Sequence, residues 1–183
     1  MTVDLSWLAR YRSSEPHFGL ERMEALLALR GNPHLACPVI HLAGTNGKGS
    51  TLAHLRSLLE AKELRVGVFT SPYLVSFNEQ ISIDGIPISD RDVETYLSLY
   101  QELLAKNSSD QTLRGLTEFE LMTVMAFDYF AAKKPDVVVM EVGMGGRLDS
   151  TNVCQPILTA ITTIGLDHVA LLGPDLASIA REK

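Results

Sequence analysis

The sequence is poor in several features that define whole classes of protein. Its two cysteines, Cys37 and Cys154, lie far apart without metal-type spacing, so we expect reduced, partly buried thiols rather than a disulfide or a zinc site. No apolar run approaches the roughly 20 residues that span a bilayer, and the N-terminus shows no secretory leader. Lysine and arginine number 16 against 22 acidic residues, a net charge of -6, which argues against a broad surface for nucleic acid or an anionic membrane. These absences predict a cytoplasmic protein and leave binding of a single nucleotide open.

What the sequence does contain is an alternation of short apolar runs with helical periods. Its 183 residues, 46% apolar and 21% charged, suit one globular domain. The apolar runs predict buried strands at residues 38–43, 65–70, 136–141 and 157–162. Helical spacing predicts helices at residues 20–30, 48–62 and 117–132. Asp90 is expected to cap a further helix, and the isoleucines around Asp84-Gly85 predict a hairpin. Strands separated by helices predict an α/β fold, with a parallel sheet flanked by helices on both faces.

The segment GTNGKGS, residues 44–50, lies between the first predicted strand and the helix that follows it. Backbone N–H groups of a Gly-rich turn, together with the positive end of a helix dipole, form an anion-binding concavity. Glycine at positions 44, 47 and 49 would let the backbone approach a phosphate, Lys48 would reach the outer phosphates, and Ser50 would bind a bridging Mg²⁺. The predicted nucleotide-binding residues are Gly44, Thr45, Asn46, Gly47, Lys48, Gly49 and Ser50.

This P-loop is a shortened variant of the usual Walker pattern. Two residues separate Gly44 from Gly47, where the usual pattern has four residues between its first glycine and the Gly-Lys pair. The plain alternative is a glycine-rich turn that only joins a strand to a helix. Lysine and serine in register after a strand favour phosphate binding over that alternative.

Polar side chains also follow the other predicted strands. Glu141 ends one strand ahead of the segment GMGGRLD and resembles a Walker B acid. Ser71 follows a second strand and His168 a fourth, and the carboxyl ends of parallel strands meet at the edge where such sheets bind ligands. The alternatives are a simple turn before proline for Ser71 and a hydrogen-bonded loop residue for His168.

Several segments together resemble one enzyme family. GTNGKGS at 44–50, TSP at 70–72, EVGMGGRLDSTN at 141–152 and LDHVALLGPDLASIAREK at 166–183 are similar to folylpolyglutamate synthase/dihydrofolate synthase, within the Mur-ligase-like ATP-dependent amide-forming group. FGLERM at 18–23 narrows the resemblance further. It implies a Mur-ligase central-domain fold, ATP and Mg²⁺ as cofactors, and dihydropteroate or a reduced folate and L-glutamate as partners. The γ-phosphoryl group of ATP would pass to the pterin carboxylate, and the amine of glutamate would attack the acyl phosphate.

The resemblance also assigns roles to single residues. Lys48, His168 and Lys183 would act in catalysis, with Lys48 offsetting charge on the transferring group. Magnesium would be held by Ser50, Ser71, Glu141, His168 and Lys183. Lys183 matches the lysine that the family carries in carbamylated form to bind a second magnesium. The pterin would lie against the segment following Ser71 and be bound by Thr117, Glu118, Phe119, Glu120, Leu148, Asp149 and Ser150. For Phe119 the alternative is a core position on an apolar helix face.

Two departures from the family stand out. Tyr73 and Asn78-Glu79-Gln80 occupy positions where family members often have His and Asn-Glu-Arg. Family members are also considerably longer, so residues 1–183 are expected to form part of the N-terminal ATP-binding domain, and alone to bind nucleotide weakly without catalysis. The family precedent is a monomer.

Two other functions stay open at this stage. One is a Mur-type peptidoglycan-precursor ligase, against which the segment GGRLDSTN argues. The other is a non-catalytic or hydrolytic P-loop module that responds to nucleotide alone.

Overall fold

The computed structural model describes residues 3–12 and 18–183, which form a mostly parallel sheet with helices on both faces. The strands of this part of the chain are β1 (Val39–Ala43), β2 (Val66–Phe69), β3 (Ile81–Ile83), β4 (Ile86–Pro87), β5 (Val137–Glu141) and β6 (Leu158–Ile161). Their order is β4-β3-β2-β5-β1-β6. Strands β2, β5, β1 and β6 run parallel, and the β3–β4 hairpin adds an antiparallel edge. The predicted α/β fold is confirmed.

Helices connect the strands. They are α1 (Ser6–Ala9), α2 (Glu21–Leu29), α3 (Lys48–Glu60), α4 (Asp90–Lys106), α5 (Glu118–Lys133), α6 (Val169–Leu172) and α7 (Leu176–Glu182). The prediction that Asp90 caps α4 is wrong, because the side chain of Ser89 accepts the N–H of Asp92 and makes Ser89 the N-cap. None of the helices described is both long enough and apolar enough to cross a membrane. Cys37 and Cys154 are free thiols, as expected.

The sheet separates two apolar clusters, because alternate residues of a strand point to opposite faces. Ile40 and Leu42 of β1 pack with Leu52 of α3 in the smaller cluster. Val39 of β1 belongs to the larger cluster, which buries α2, α4 and α5. Alternating residues of β5 divide between the two clusters in the same way. Helices therefore cover both faces, and the carboxyl ends of the parallel strands meet at one edge.

Buried ion pairs join α2 to α5 on the larger side. Arg22 Nε lies 2.9 Å from Glu120 Oε1, and both side chains are almost fully buried. Arg30 Nε lies 2.9 Å from Asp128 Oδ2, which also accepts the hydroxyl of Tyr100 at 2.7 Å. The Arg22–Glu120 pair fixes the start of α5 relative to α2, and the start of α5 borders the candidate site described next.

Candidate functional site

The glycine-rich segment predicted to be a P-loop joins β1 to α3, which is the setting that the sequence predicted. Gly47 is the N-cap of α3 and adopts a left-handed φ of 85°, which favours glycine. Lys48 is the first residue of α3, and its Nζ donates to the carbonyl of Gly44 at 3.0 Å. The lysine thus folds back over the loop at the N-terminal end of a helix of 13 residues, the end that favours anions.

The surroundings of Gly44 and Gly49 in the loop differ. Gly44 has a φ of 142°, and a Cβ there would overlap Thr162 Oγ1 in the segment that follows β6. Packing inside the protein therefore requires glycine at position 44, a different reason from the predicted approach of a ligand. A Cβ at Gly49 would meet no atom within 4 Å, so the first turn of α3 has open space beside it.

The predicted strand-end ligands lie at the carboxyl ends of β2, β5 and β6. Thr70 Oγ1 donates to Glu141 Oε2, and Ser71 follows directly in the chain. Glu141 is 5% exposed at the end of β5. Asp167 and His168 follow β6, where His168 has a φ of 48° and its N–H donates to Asp167 Oδ1 at 2.8 Å. The segments after β2, β5, β1 and β6 thus occupy the same edge of the sheet, as predicted.

Lys183 lies beside the Gly-rich segment that follows β5. Burial lowers the pKa of its ammonium, and the positive charge of Lys48 lowers it further, while Asp167 and Asp149 oppose the shift. The N–H of Arg147 donates to the Glu182 carbonyl at 2.9 Å, which holds this end of the chain against the segment. Lys183 is therefore close enough to both Lys48 and Asp167 for their charges to affect it.

The donor atoms of these side chains determine whether the site suits an Mg²⁺ ion. No group of three or more His, Cys, Asp or Glu side chains converges as a metal site within residues 3–12 and 18–183. Magnesium usually takes one or two carboxylates and fills its other positions with water and substrate phosphates. One buried carboxylate, Glu141, at the same edge of the sheet as Ser71 and the glycine-rich loop fits an Mg²⁺ ion that takes its other ligands from water and a nucleotide.

A cavity of about 690 Å³ lies beside the same edge of the sheet. Six of the seven predicted pterin-binding residues line it: Thr117, Glu118, Phe119, Leu148, Asp149 and Ser150. Glu120 does not line the cavity. Its side chain is 2% exposed, pairs with Arg22 and accepts the N–H of Thr117 at 2.7 Å. Glu120 therefore stabilises the start of α5.

Sequence reasoning missed part of the cavity wall. Tyr11, Arg12 and Phe18 line it from the N-terminal region, together with Gln80 and Met122. Pro72 and Tyr73 also line it, in the segment following Ser71 where the sequence predicted one side of the pterin site. Arg12 Nε donates to Glu118 Oε2 at 2.6 Å, and this bond raises the pKa of the guanidinium. The two residues are 106 positions apart, so no local pattern reveals the pair. Gln80 could have been found, because it marks a departure from the family pattern.

Asp149 is held inside the cavity wall by a buried network. One carboxylate oxygen accepts the N–H of Met144 at 2.9 Å, and the other accepts the Thr151 hydroxyl at 2.6 Å. Since that hydroxyl donates to Asp149, His41 Nε2 at 2.7 Å donates to its oxygen. Burial lowers the pKa of His41 to about 4, so its ring is neutral at pH 7, and burial raises the pKa of Asp149. The network joins β1 to the Gly-rich wall of the cavity.

Known proteins share this sequence and this fold. The chain is 51% identical over 168 residues to the dihydrofolate synthase/folylpolyglutamate synthase of Bacillus subtilis, a match that covers 90% of the chain and 38% of that relative. A solved FPGS–AMPPCP–folate complex superimposes with a TM-score of 0.88 at 38% identity, covering 100% of the chain and 45% of that structure. Escherichia coli FolC in complex with DHPP and ADP gives a TM-score of 0.87 at 37% identity, covering 97% of the chain and 41% of FolC.

The chain spans less than half the length of each of these proteins. No model of a protein family matches it. The identity to these relatives nevertheless extends along at least nine tenths of the chain, and the fold agrees with theirs throughout that span. The chain therefore belongs to the dihydrofolate synthase/folylpolyglutamate synthase family.

Proposed function

We propose that the full-length protein is an ATP-dependent ligase that adds L-glutamate to dihydropteroate, to a reduced folate, or to both. The carboxylate oxygen of the pterin substrate attacks the γ-phosphorus of ATP, and ADP leaves. The amine of glutamate then attacks the acyl carbon, and phosphate leaves with the oxygen that it took from the carboxylate. Similarity to the FPGS–AMPPCP–folate complex and to FolC with DHPP and ADP supports both substrates.

The nucleotide end of the proposed site is the P-loop. Residues 44–50 would hold the ATP phosphates through backbone N–H groups at the start of α3. Lys48, whose Nζ lies 3.0 Å from the Gly44 carbonyl, would bind an outer phosphate. Its charge would offset the negative charge on the transferring phosphoryl group.

The metal end of the proposed site lies on the neighbouring strands. Ser50, Ser71, Glu141 and His168 would hold Mg²⁺, with a carbamylated Lys183 for a second ion. Bound Mg²⁺ would supply positive charge against the β- and γ-phosphate oxygens. Glu141 accepts the Thr70 hydroxyl, which keeps this carboxylate oriented at the end of β5.

The pterin end of the proposed site is the 690 Å³ cavity. Phe119 lines the cavity. It also packs on Gly143 so closely that a Cβ at position 143 would overlap its ring. The residue is therefore both part of the cavity wall and part of the packing of the helix face. Arg12, paired with Glu118, places a cation at the same wall. An apolar ring wall with a few fixed polar groups is typical of small-molecule sites.

The observation that carries this proposal is that the P-loop and the cavity are built from segments at the same edge of one sheet. The test is ATP-dependent phosphate release by the full-length protein with Mg²⁺. Dihydropteroate, tetrahydrofolate and a UDP-muramyl precursor are compared, each with its partner amino acid. Stimulation by a pterin is expected and also reveals which activity is present.

The other outcomes distinguish the alternatives. Stimulation by the muramyl substrate alone would assign a Mur-type ligase. Phosphate release without a response to any acceptor would leave a P-loop module that responds to nucleotide. The assignment of residues 1–183 to the N-terminal ATP-binding domain, the use of L-glutamate, the cytoplasmic location and the monomeric state are part of the proposal.

A further inference from the structure

The segment that follows β6 contacts the P-loop over several consecutive residues. The N–H of Thr45 donates to the Thr163 carbonyl at 2.8 Å, and the N–H of Asn46 donates to Thr163 Oγ1 at 3.1 Å. The Thr45 hydroxyl accepts the N–H of Gly165 at 2.9 Å. Thr163 and Gly165 are not among the residues that the sequence assigned to nucleotide binding. The segment is therefore a second wall of the loop.

Two adjacent hydroxyls of this wall converge on one backbone carbonyl. Thr162 Oγ1 donates to the Asn46 carbonyl at 2.7 Å, and Thr163 Oγ1 lies within hydrogen-bond distance of the same oxygen at 3.0 Å. A carbonyl oxygen has two lone pairs, so it can accept both hydroxyl protons. The Asn46 carbonyl is thus held facing the segment that follows β6.

The orientation of this carbonyl fixes the next N–H group. The only cis peptide bond among the described residues precedes Pro72, so the Asn46–Gly47 peptide is trans. In a trans peptide the carbonyl and the following N–H point in opposite directions. The Gly47 N–H therefore points away from the two threonines. Gly47 is the N-cap of α3, where N–H groups have no partner inside the helix and serve an anion.

Glycine at position 44 belongs to the same arrangement. A Cβ at Gly44 would overlap Thr162 Oγ1, the atom that reaches Asn46. The absence of a side chain at the first glycine of the loop therefore makes room for the hydroxyl that orients a peptide three residues later. This links the glycine to phosphate binding through Thr162 rather than through direct contact.

We propose that Thr162 and Thr163 are positioning residues for the nucleotide phosphates. Their hydroxyls hold the Asn46–Gly47 peptide so that the Gly47 N–H faces the diphosphate of ATP or ADP. This inference rests on the proposed nucleotide binding and adds the two residues that pre-orient the loop. Because the same segment continues to Asp167 and His168, it also fixes the spacing between the P-loop and a predicted metal ligand.

The test compares full-length variants that differ in the hydroxyls alone. Thr162→Val/Thr163→Val removes both hydroxyls with little change in shape, and Thr162→Ser/Thr163→Ser keeps them. Thr159→Val, at an exposed threonine in β6, is the control. The valine pair is expected to raise the Kd for ADP and the KM for ATP by about tenfold or more. The KM for the pterin should not change, and the serine pair should stay within about twofold of wild type.

Each other outcome has a defined meaning. ADP binding by the valine pair as tight as that of wild type would overturn the inference, and so would a serine pair as weak as the valine pair, since packing rather than hydroxyls would then be responsible. If the wild-type protein binds no ADP, the proposed function fails first and this inference fails with it. Should the valine pair not fold, Thr163→Val against Thr163→Ser decides the question by the same comparison.

Discussion

Substitution of Lys48 is the sharpest single-residue test of the proposed nucleotide binding. Its Nζ already lies over the loop, 3.0 Å from the Gly44 carbonyl. We predict that Lys48→Ala in the full-length protein lowers kcat by about 10²-fold or more, because a charge contact made in the transition state is lost. Lys62→Ala, at an exposed lysine just beyond α3, is the control and should keep wild-type turnover. Turnover near that of wild type in Lys48→Ala would contradict the role.

The burial of His41 predicts how the free energy of unfolding depends on pH. Its pKa is about 4 in the folded protein, because burial disfavours the charged ring, against about 6.5 for an exposed histidine. Between these values the unfolded chain binds a proton that the folded chain does not. Stability is therefore lost as the pH falls from about 6.5 to about 4, by roughly 3 kcal/mol from this residue.

Urea unfolding of wild type and of His41→Gln at pH 7 and near pH 4.5 measures this term. Glutamine keeps an N–H that can reach Thr151 but does not titrate, so the variant should lose about 2 kcal/mol less between the two pH values. Equal losses in the two proteins would show that His41 does not titrate as its burial predicts.

At the scale of the element, the buried pair between α2 and α5 sets the position of the cavity wall. Removing one partner leaves an uncompensated buried charge, so Arg22→Met is expected to lower the free energy of unfolding by about 3 kcal/mol. Arg22→Met/Glu120→Gln removes that charge while keeping a side chain able to cap Thr117, and should regain most of the loss.

The exposed pair of Lys106 and Glu102 on α4 provides the control for this experiment. Glu102→Ala is expected to cost less than about 0.5 kcal/mol, because solvent screens an exposed ion pair. A double variant as unstable as Arg22→Met alone would argue that packing, and not the unpaired charge, accounts for the loss.

Elements with strong local signals could be predicted from the sequence. The turn Asp84-Gly85 was expected between two strands, and both residues have a positive φ, 52° and 73°, as a tight hairpin requires. The glycine-rich segment between β1 and α3 could be placed because glycine, lysine and serine at fixed spacing follow a predicted strand. The N-cap of α4 was placed one residue late, because Ser89 and Asp90 are both good capping residues and only their backbone conformations separate them.

Contacts between distant segments could not be predicted in this way. Arg12 meets Glu118 across 106 residues, and Thr162 meets Asn46 across 116. Neither contact leaves a period or a spacing in the sequence, because tertiary folding alone brings the two segments together. The predicted residues of the site were therefore those at strand ends and helix starts. The missed residues lie in the segment that follows β6 and in the part of the cavity wall that comes from the N-terminal region.

In the molecule as a whole, the proposed site depends on one arrangement of the sheet. Four parallel strands place the phosphate loop, the candidate metal ligands and the cavity wall on adjacent carboxyl ends. A carboxylate in the cavity and the γ-phosphate of a nucleotide on the loop would then meet at the same edge. We propose that they react with each other to form an acyl phosphate.

Oxygen transfer tests that claim most directly. The full-length protein is given dihydropteroate or tetrahydrofolate carrying ¹⁸O in its carboxylate, together with ATP, Mg²⁺ and L-glutamate, and the released phosphate is examined by mass spectrometry. An acyl phosphate mechanism predicts one ¹⁸O in each phosphate released, because phosphate departs with the carboxylate oxygen. Glutamate addition with no ¹⁸O in the phosphate would contradict the mechanism.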